Sequence, residues 1–134
     1  MFIFALIPIE AVNGRRSLFK LRRGNRCFLD DFEKDVINNK QHKVELTKLY
    51  SYMEYLADGI TLPDSIHKEL RSNKKDSVKE YELRTRNLRL YLIKQLGGRI
   101  VVYGGYKKNQ QKDLKNFRAI KKQFVQYLKD SKRT

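Results

Sequence analysis

The apolar positions of this chain change period several times, and each change marks an element. Phe2–Val12 is a continuous apolar run without a helical stripe, closed by Asn13–Gly14, and it predicts a first strand. Pro8 lacks an amide hydrogen and limits pairing along one edge of that strand. From Phe28 the period becomes helical: Phe28, Phe32, Val36 and Ile37 share a stripe, with Asp30 and Asp31 where a helix N-terminus favours acid. The pattern lapses at Asn38–Asn39–Lys40 and resumes at Leu46, Leu49, Tyr50, Met53, Leu56 and Ala57. Gly59 and then Pro63 end that second helix, so a helical hairpin with a polar joint is expected.

Beyond a polar linker over Ser72–Lys79 the pattern is extended. Tyr81–Arg86 alternates, Leu88–Lys94 is largely aliphatic, and Arg99–Tyr106 is β-branched and aromatic. Two-residue turns at Arg86–Asn87 and Gly97–Gly98 would fold these into a three-stranded antiparallel meander. Asp113 is placed to cap a final helix whose apolar face is Phe117, Ile120, Phe124 and Leu128. The expected fold class is α+β in one domain over 1–134: an N-terminal strand that joins the meander's sheet, a helical hairpin, three strands and a C-terminal helix. The helices should cover one face of the sheet.

Charge narrows the choice of partner. Lys and Arg number 30 against 15 Asp and Glu, a formal net charge of +15. So basic a domain calls for a polyanion, with nucleic acid first, an acidic protein second and an anionic membrane surface third. Cys27 is the single cysteine, which excludes an internal disulfide and suits a reducing cytoplasm. With two scattered histidines it makes no zinc site, and neither a metal nor a cofactor is expected. The opening run Met1–Ile9 has no basic stretch before it and is read as a buried strand rather than a signal peptide. Gly14–Arg26 is basic, with Leu18, Phe19 and Leu21 interleaved, and suits either a loop or a short ribbon extending the first strand.

The turn positions set which side chains share a face. Arg84 should oppose Arg89, Glu82 should oppose Tyr91, and Arg89 should oppose Tyr106. The other face would carry Tyr81, Leu83, Leu88, Leu90, Leu92, Val101 and Tyr103 against the helices. A one-residue slip in the Gly97–Gly98 turn would exchange Tyr106 for Tyr103 on the working face. Two arginines directly opposed repel each other, a cost that makes sense if an anion lies between them.

The chemistry that suits such a face is phosphodiester cleavage of RNA, which carries its own 2′-hydroxyl nucleophile. Guanidinium groups of Arg84 and Arg89 would steady the phosphate charge, and Glu82 is the carboxylate available as a base. Tyr91 or Tyr106 can stack on a base or hold a proton, while Arg86, Lys107 and Lys108 add charge for the RNA backbone. An alternating charged strand equally describes a plain solvated sheet face. Lys107–Lys108 describes a plain solvated turn somewhat better than a catalytic pair. Tyr50, Tyr81 and Tyr103 suit a core, Cys27 a packed thiol, and His42 and His67 the surface.

The block Tyr81–Glu82–Leu83–Arg84, after a helical hairpin and before two more strands, resembles the RelE/HigB toxin superfamily, in particular its phage-derived HigB-like branch. In that branch a YELR strand is followed by an arginine opening the next strand, here Arg89. A glycine then precedes a double lysine before the last helix, here Gly104–Gly105–Tyr106–Lys107–Lys108. The resemblance implies a cytoplasmic toxin that cuts messenger RNA on the ribosome without a metal and is neutralised by a cognate acidic antitoxin. Arg84, Arg89, Lys107 and Lys108 fall on its functional positions. This chain departs from the pattern at Tyr103, where many relatives have histidine. It departs again at Gly105, which replaces an aromatic, and at Asp113, which replaces a proline. The related ParE branch poisons DNA gyrase, and fold alone would not separate the two activities.

Overall fold

The computed structural model describes residues 2–12, 18–71, 78–95 and 97–132. Asn13–Gly14 with Arg15 and Arg16 of the basic segment, and 72–77 of the expected linker, lie outside the described residues. The first strand is β1 (Phe4–Pro8), and the basic segment forms β2 (Leu18–Arg23) and a short β3 (Arg26–Cys27). Two helices follow, α1 (Phe28–Asn39) and α2 (Lys43–Ala57). Then come β4 (His67–Leu70), β5 (Glu80–Arg84), β6 (Leu88–Gln95) and β7 (Gly98–Tyr106). A 3-10 turn at Lys107–Asn109 leads into α3 (Gln110–Ser131).

The helical hairpin ends where the chain must turn left-handed. Lys40 closes α1 with φ 62°, and Gly59, at φ 78°, follows α2 with its amide donating to the Leu56 carbonyl. Among the described residues the strands make one seven-stranded sheet in the order β1-β2-β7-β6-β5-β4, with β3 paired to β2. The chain is therefore α+β. The first strand shares the meander's sheet only through β2, which pairs antiparallel with β1 and parallel with β7. The ribbon alternative for the basic segment is the one observed. β4, with alternate residues His67 and Glu69, has too short and polar a pattern to announce a strand, and pairing to β5 creates it.

The helices do not lie on one face. α1 and α2 pack Phe32, Val36, Leu49 and Met53 against Leu83, Leu90, Leu92 and Val101. α3 lays Phe117, Ile120 and Phe124 on the opposite face, against Tyr91, Ile93, Ile100 and Val102. Residues on both faces of β6 are therefore fully buried, from Leu88 and Leu90 on one side to Tyr91 and Ile93 on the other. A strand covered on both faces loses polar alternation, which is why Leu88–Lys94 looks simply aliphatic.

The meander's register departs from expectation in two steps. Gln95 pairs with Gly98, so the turn is centred one residue early and pairing shifts by two positions, which keeps the faces. Between Tyr91 and Leu92 the register then breaks: Leu92 pairs with Val101 but Tyr91 with Tyr103. Val102 is the extra residue of a bulge, and beyond it the faces of β7 exchange. Arg84 still opposes Arg89 and Glu82 still opposes Tyr91. Arg89, however, opposes Gly105, and Tyr106 opposes Leu88 on the helical-hairpin side.

Candidate functional site

Alternation on β5 points Glu80, Glu82 and Arg84 to the side of α3, and β6 adds Arg89 and Tyr91. Four of the residues expected there are thus brought together. Only Arg84 among them is partly presented to solvent. Glu82 and Tyr91 are fully buried and Arg89 is 6% exposed, because the N-terminal turns of α3 cover them. The Glu82 carboxylate accepts from Arg84 Nε at 2.6 Å and from Gln110 Nε2 at 3.0 and 3.2 Å. Arg89 Nε lies 3.1 Å from the same Oε1 without hydrogen-bond alignment, and its Nη1 donates to the Thr85 and Leu88 carbonyls. A carboxylate so engaged is a counter-ion for two arginines, poorly placed to take a proton from a substrate. Burial raises the Tyr91 phenol above its ordinary range, with the Glu82 and Asp113 charges adding to that, and its hydroxyl has no hydrogen-bond partner among the described residues.

Tyr106 is displaced from this cluster by the bulge. Its ring packs edge-on to Phe32, and its hydroxyl donates to Asp35 of α1. Tyr103 takes its place on the α3 side, tilted against Phe28 and accepting a hydrogen bond from Asn116. The exchange is the one that a one-residue slip in the Gly97–Gly98 turn would have given, but the bulge at Val102 produces it.

Sequence reasoning missed a second clamp. Glu80, 1% exposed, holds Arg118 at 3.1 Å and Lys121 at 3.0 Å, and Lys121 also donates to the Val78 carbonyl. The signal was present: Lys121 sits inside the apolar stripe of Phe117, Ile120 and Phe124, where a cation needs a buried acid. Glu45 was missed as well. From α2 it accepts from Thr85 Oγ1, the Asn87 amide and Asn87 Nδ2, and it lies 2.9 Å from His42 Nδ1. Burial alone would raise its pKa. The donors from Thr85 and Asn87, with His42 beside them, outweigh burial and hold it down at about 2. Glu45 thereby fixes the β5–β6 turn to the helical hairpin.

What faces solvent around this end of the sheet is basic. Arg84 is partly exposed at the rim of the Glu82 cluster, and Arg86 is exposed in the turn. The Asn87 carbonyl accepts from the Lys107 amide, which holds the start of the 3-10 turn beside the arginines. Lys107, Lys108, Lys112 and Lys115 line an open groove of about 600 Å³ with Gln110 and Gln111. None of these lysines has an ion-pair partner among the described residues, and the Lys108 ammonium stands over the Tyr106 ring at 5.8 Å. The groove follows the N-terminal end of a 22-residue helix, where the backbone amides add positive potential.

Cys27 is buried, and burial raises its thiol pKa, as befits a packed side chain. His67 stacks on Tyr81 with ring centres 5.0 Å apart rather than standing free on the surface. Among the described residues no group of acids, histidines and cysteines is arranged to hold a metal ion. No helix among them is long and apolar enough to cross a membrane. Compared with described protein families, curated proteins and solved structures, the chain matches none.

Proposed function

We propose that this chain acts on RNA as the toxin of a toxin–antitoxin pair, in the manner of the RelE/HigB-like family its sequence resembles. The observation that carries the RNA reading is the groove of Lys107, Lys108, Lys112 and Lys115, four cations without an ion-pair partner among the described residues, at the positive end of α3. Arg84 and Arg86 extend the same basic surface around the β5–β6 turn. Phosphates held there would lie against Arg84, whose guanidinium remains charged and can steady charge growing on a phosphodiester as the RNA 2′-hydroxyl attacks. Arg89 acts from below, by holding Glu82 and Arg84 in place. The messenger on the ribosome is the proposed substrate, and the cytoplasm the proposed compartment. An acidic antitoxin is the proposed partner, drawn in by the net charge of +15.

The burial of Glu82 and Tyr91 favours a second reading, a protein that binds RNA without cutting it. Induced expression separates the two. Cleavage predicts growth arrest with messenger fragments cut inside reading frames, lost in Arg84→Ala and in a Lys107→Gln/Lys108→Gln variant that stay folded. Salt-sensitive RNA binding without fragments supports the second reading. DNA breaks with intact messenger would point to gyrase and overturn both. Co-expression with the neighbouring small open reading frame tests the partner: a co-purifying complex and restored growth are expected.

A further inference from the structure

β2 pairs with β7 only over Arg99–Val101, so from Val102 onward that edge of β7 has no strand neighbour among the described residues. A cleft of about 210 Å³ opens there between α1 and the start of α3. Its floor is Gly104–Gly105, and both glycines are required. A Cβ at Gly104 would come within 2.6 Å of the Phe32 ring, and one at Gly105 would collide with the Asp113 carboxylate. Phe28, Phe32, Tyr103 and Tyr106 contribute aromatic walls.

Three carboxylates line the cleft, and two of them are matched. Asp31 accepts from Arg26 at 2.9 Å, and Asp35 accepts from Tyr106 and Asn39. Asp113 is 8% exposed and has no hydrogen-bond or ion-pair partner among the described residues. Burial pushes its carboxyl above the ordinary range. The Lys112 charge partly offsets that burial without a hydrogen bond, and a ligand that brings N–H donors would satisfy the carboxylate.

We propose that this cleft is a nucleobase pocket selective for guanine, with Asp113 accepting from the two adjacent N–H donors of the guanine edge; the proposal deepens the RNA reading and rests on it. Adenine opposes one donor and one ring-nitrogen acceptor to the carboxylate, and uracil flanks its single N–H with two carbonyls. A forked pair of donors is the arrangement that fills both carboxylate oxygens. The cleft is smaller than ordinary drug-sized sites, which suits one planar ring, and aromatic walls suit a base's flat faces. Asn109 lines both this cleft and the neighbouring groove of Lys107 and Lys108, so a nucleotide whose base sits in the cleft would have lysines within reach of its phosphates. The same lysines repel an arginine side chain from a partner, the other forked donor that could enter.

Short single-stranded uridine tracts carrying one guanine, adenine or hypoxanthine test the proposal by fluorescence anisotropy. The guanine tract should bind about tenfold more tightly than the adenine tract, the scale of one good base contact. Hypoxanthine, which lacks the 2-amino donor, should lose most of that gain. Asp113→Asn, which keeps the shape, should bring guanine and adenine within about twofold of each other. Equal binding of guanine and adenine by the native protein, or a preference that survives Asp113→Asn, overturns the pocket while leaving the backbone groove intact. Absence of salt-sensitive binding to plain uridine tracts would instead sink the RNA reading. GMP against AMP, titrated while following the Gly104 and Gly105 amides, then decides the cleft alone. GMP-selective shifts support it, and equal shifts, or a stronger response to methylguanidinium than to GMP, overturn it.

Discussion

Two sets of charges sit within a few residues of each other in this protein, one beneath α3 and one along its outer side. Glu80, Glu82, Arg89 and Lys121 are less than a tenth exposed and mutually engaged. Lys107, Lys108, Lys112 and Lys115 are spread along the open groove with no ion-pair partner among the described residues. The first set joins helix to sheet; the second leaves a positive surface unanswered. A charged residue in a strand pattern therefore does not announce a working face. It announces a need for a counter-charge, which can come from a ligand or from a helix more than twenty residues further along the chain.

The sharpest break in the comparison is Glu82→Ala. It strands a buried Arg89, and a loss of about 3–5 kcal/mol is expected in denaturant unfolding, the scale for removing one partner of a buried pair. Glu45→Ala should follow at about 2–3 kcal/mol, because it abandons the Thr85 and Asn87 donors. The same group gives a pH signature. Its folded pKa of about 2 lies below its ordinary 4.5, so its stabilisation is full above pH 4.5 and fades as pH falls toward 2. Native protein should lose about 2–3 kcal/mol across that window relative to Glu45→Gln, as followed by thermal unfolding at stepped pH.

The smallest stability effect is expected where the effect on RNA is largest. Replacing Lys107, Lys108, Lys112 and Lys115 with Gln should change stability by no more than about 0.5 kcal/mol. It should also lower the slope of log affinity against log salt by about 3 on single-stranded RNA. If that variant unfolds, or keeps the native salt slope, the groove is not the interface and the contrast between the two sets collapses.

The strand–helix–helix–meander–helix order and the α+β class were legible because period alone separates strands from helices. Arg84 opposite Arg89 and Glu82 opposite Tyr91 were legible because the Arg86–Asn87 turn leaves no slack. Tyr106 was misplaced because a bulge at Val102 has no mark of its own in an apolar run. β4 was missed because its hydrogen bonds to β5, rather than its side chains, make it a strand.

By itself the sequence determined the periodic elements, one apolar face of the meander and the excess of positive charge, all of which depend on residues near one another in the chain. Tertiary structure decided which face α3 covers, and so whether the Glu82 cluster is a surface or a clamp. It also decided that Gly105 and Asp113, eight positions apart, meet over an open strand edge. Those outcomes rest on pairing and packing between distant segments. Local pattern carries no term for how a helix returns to a sheet.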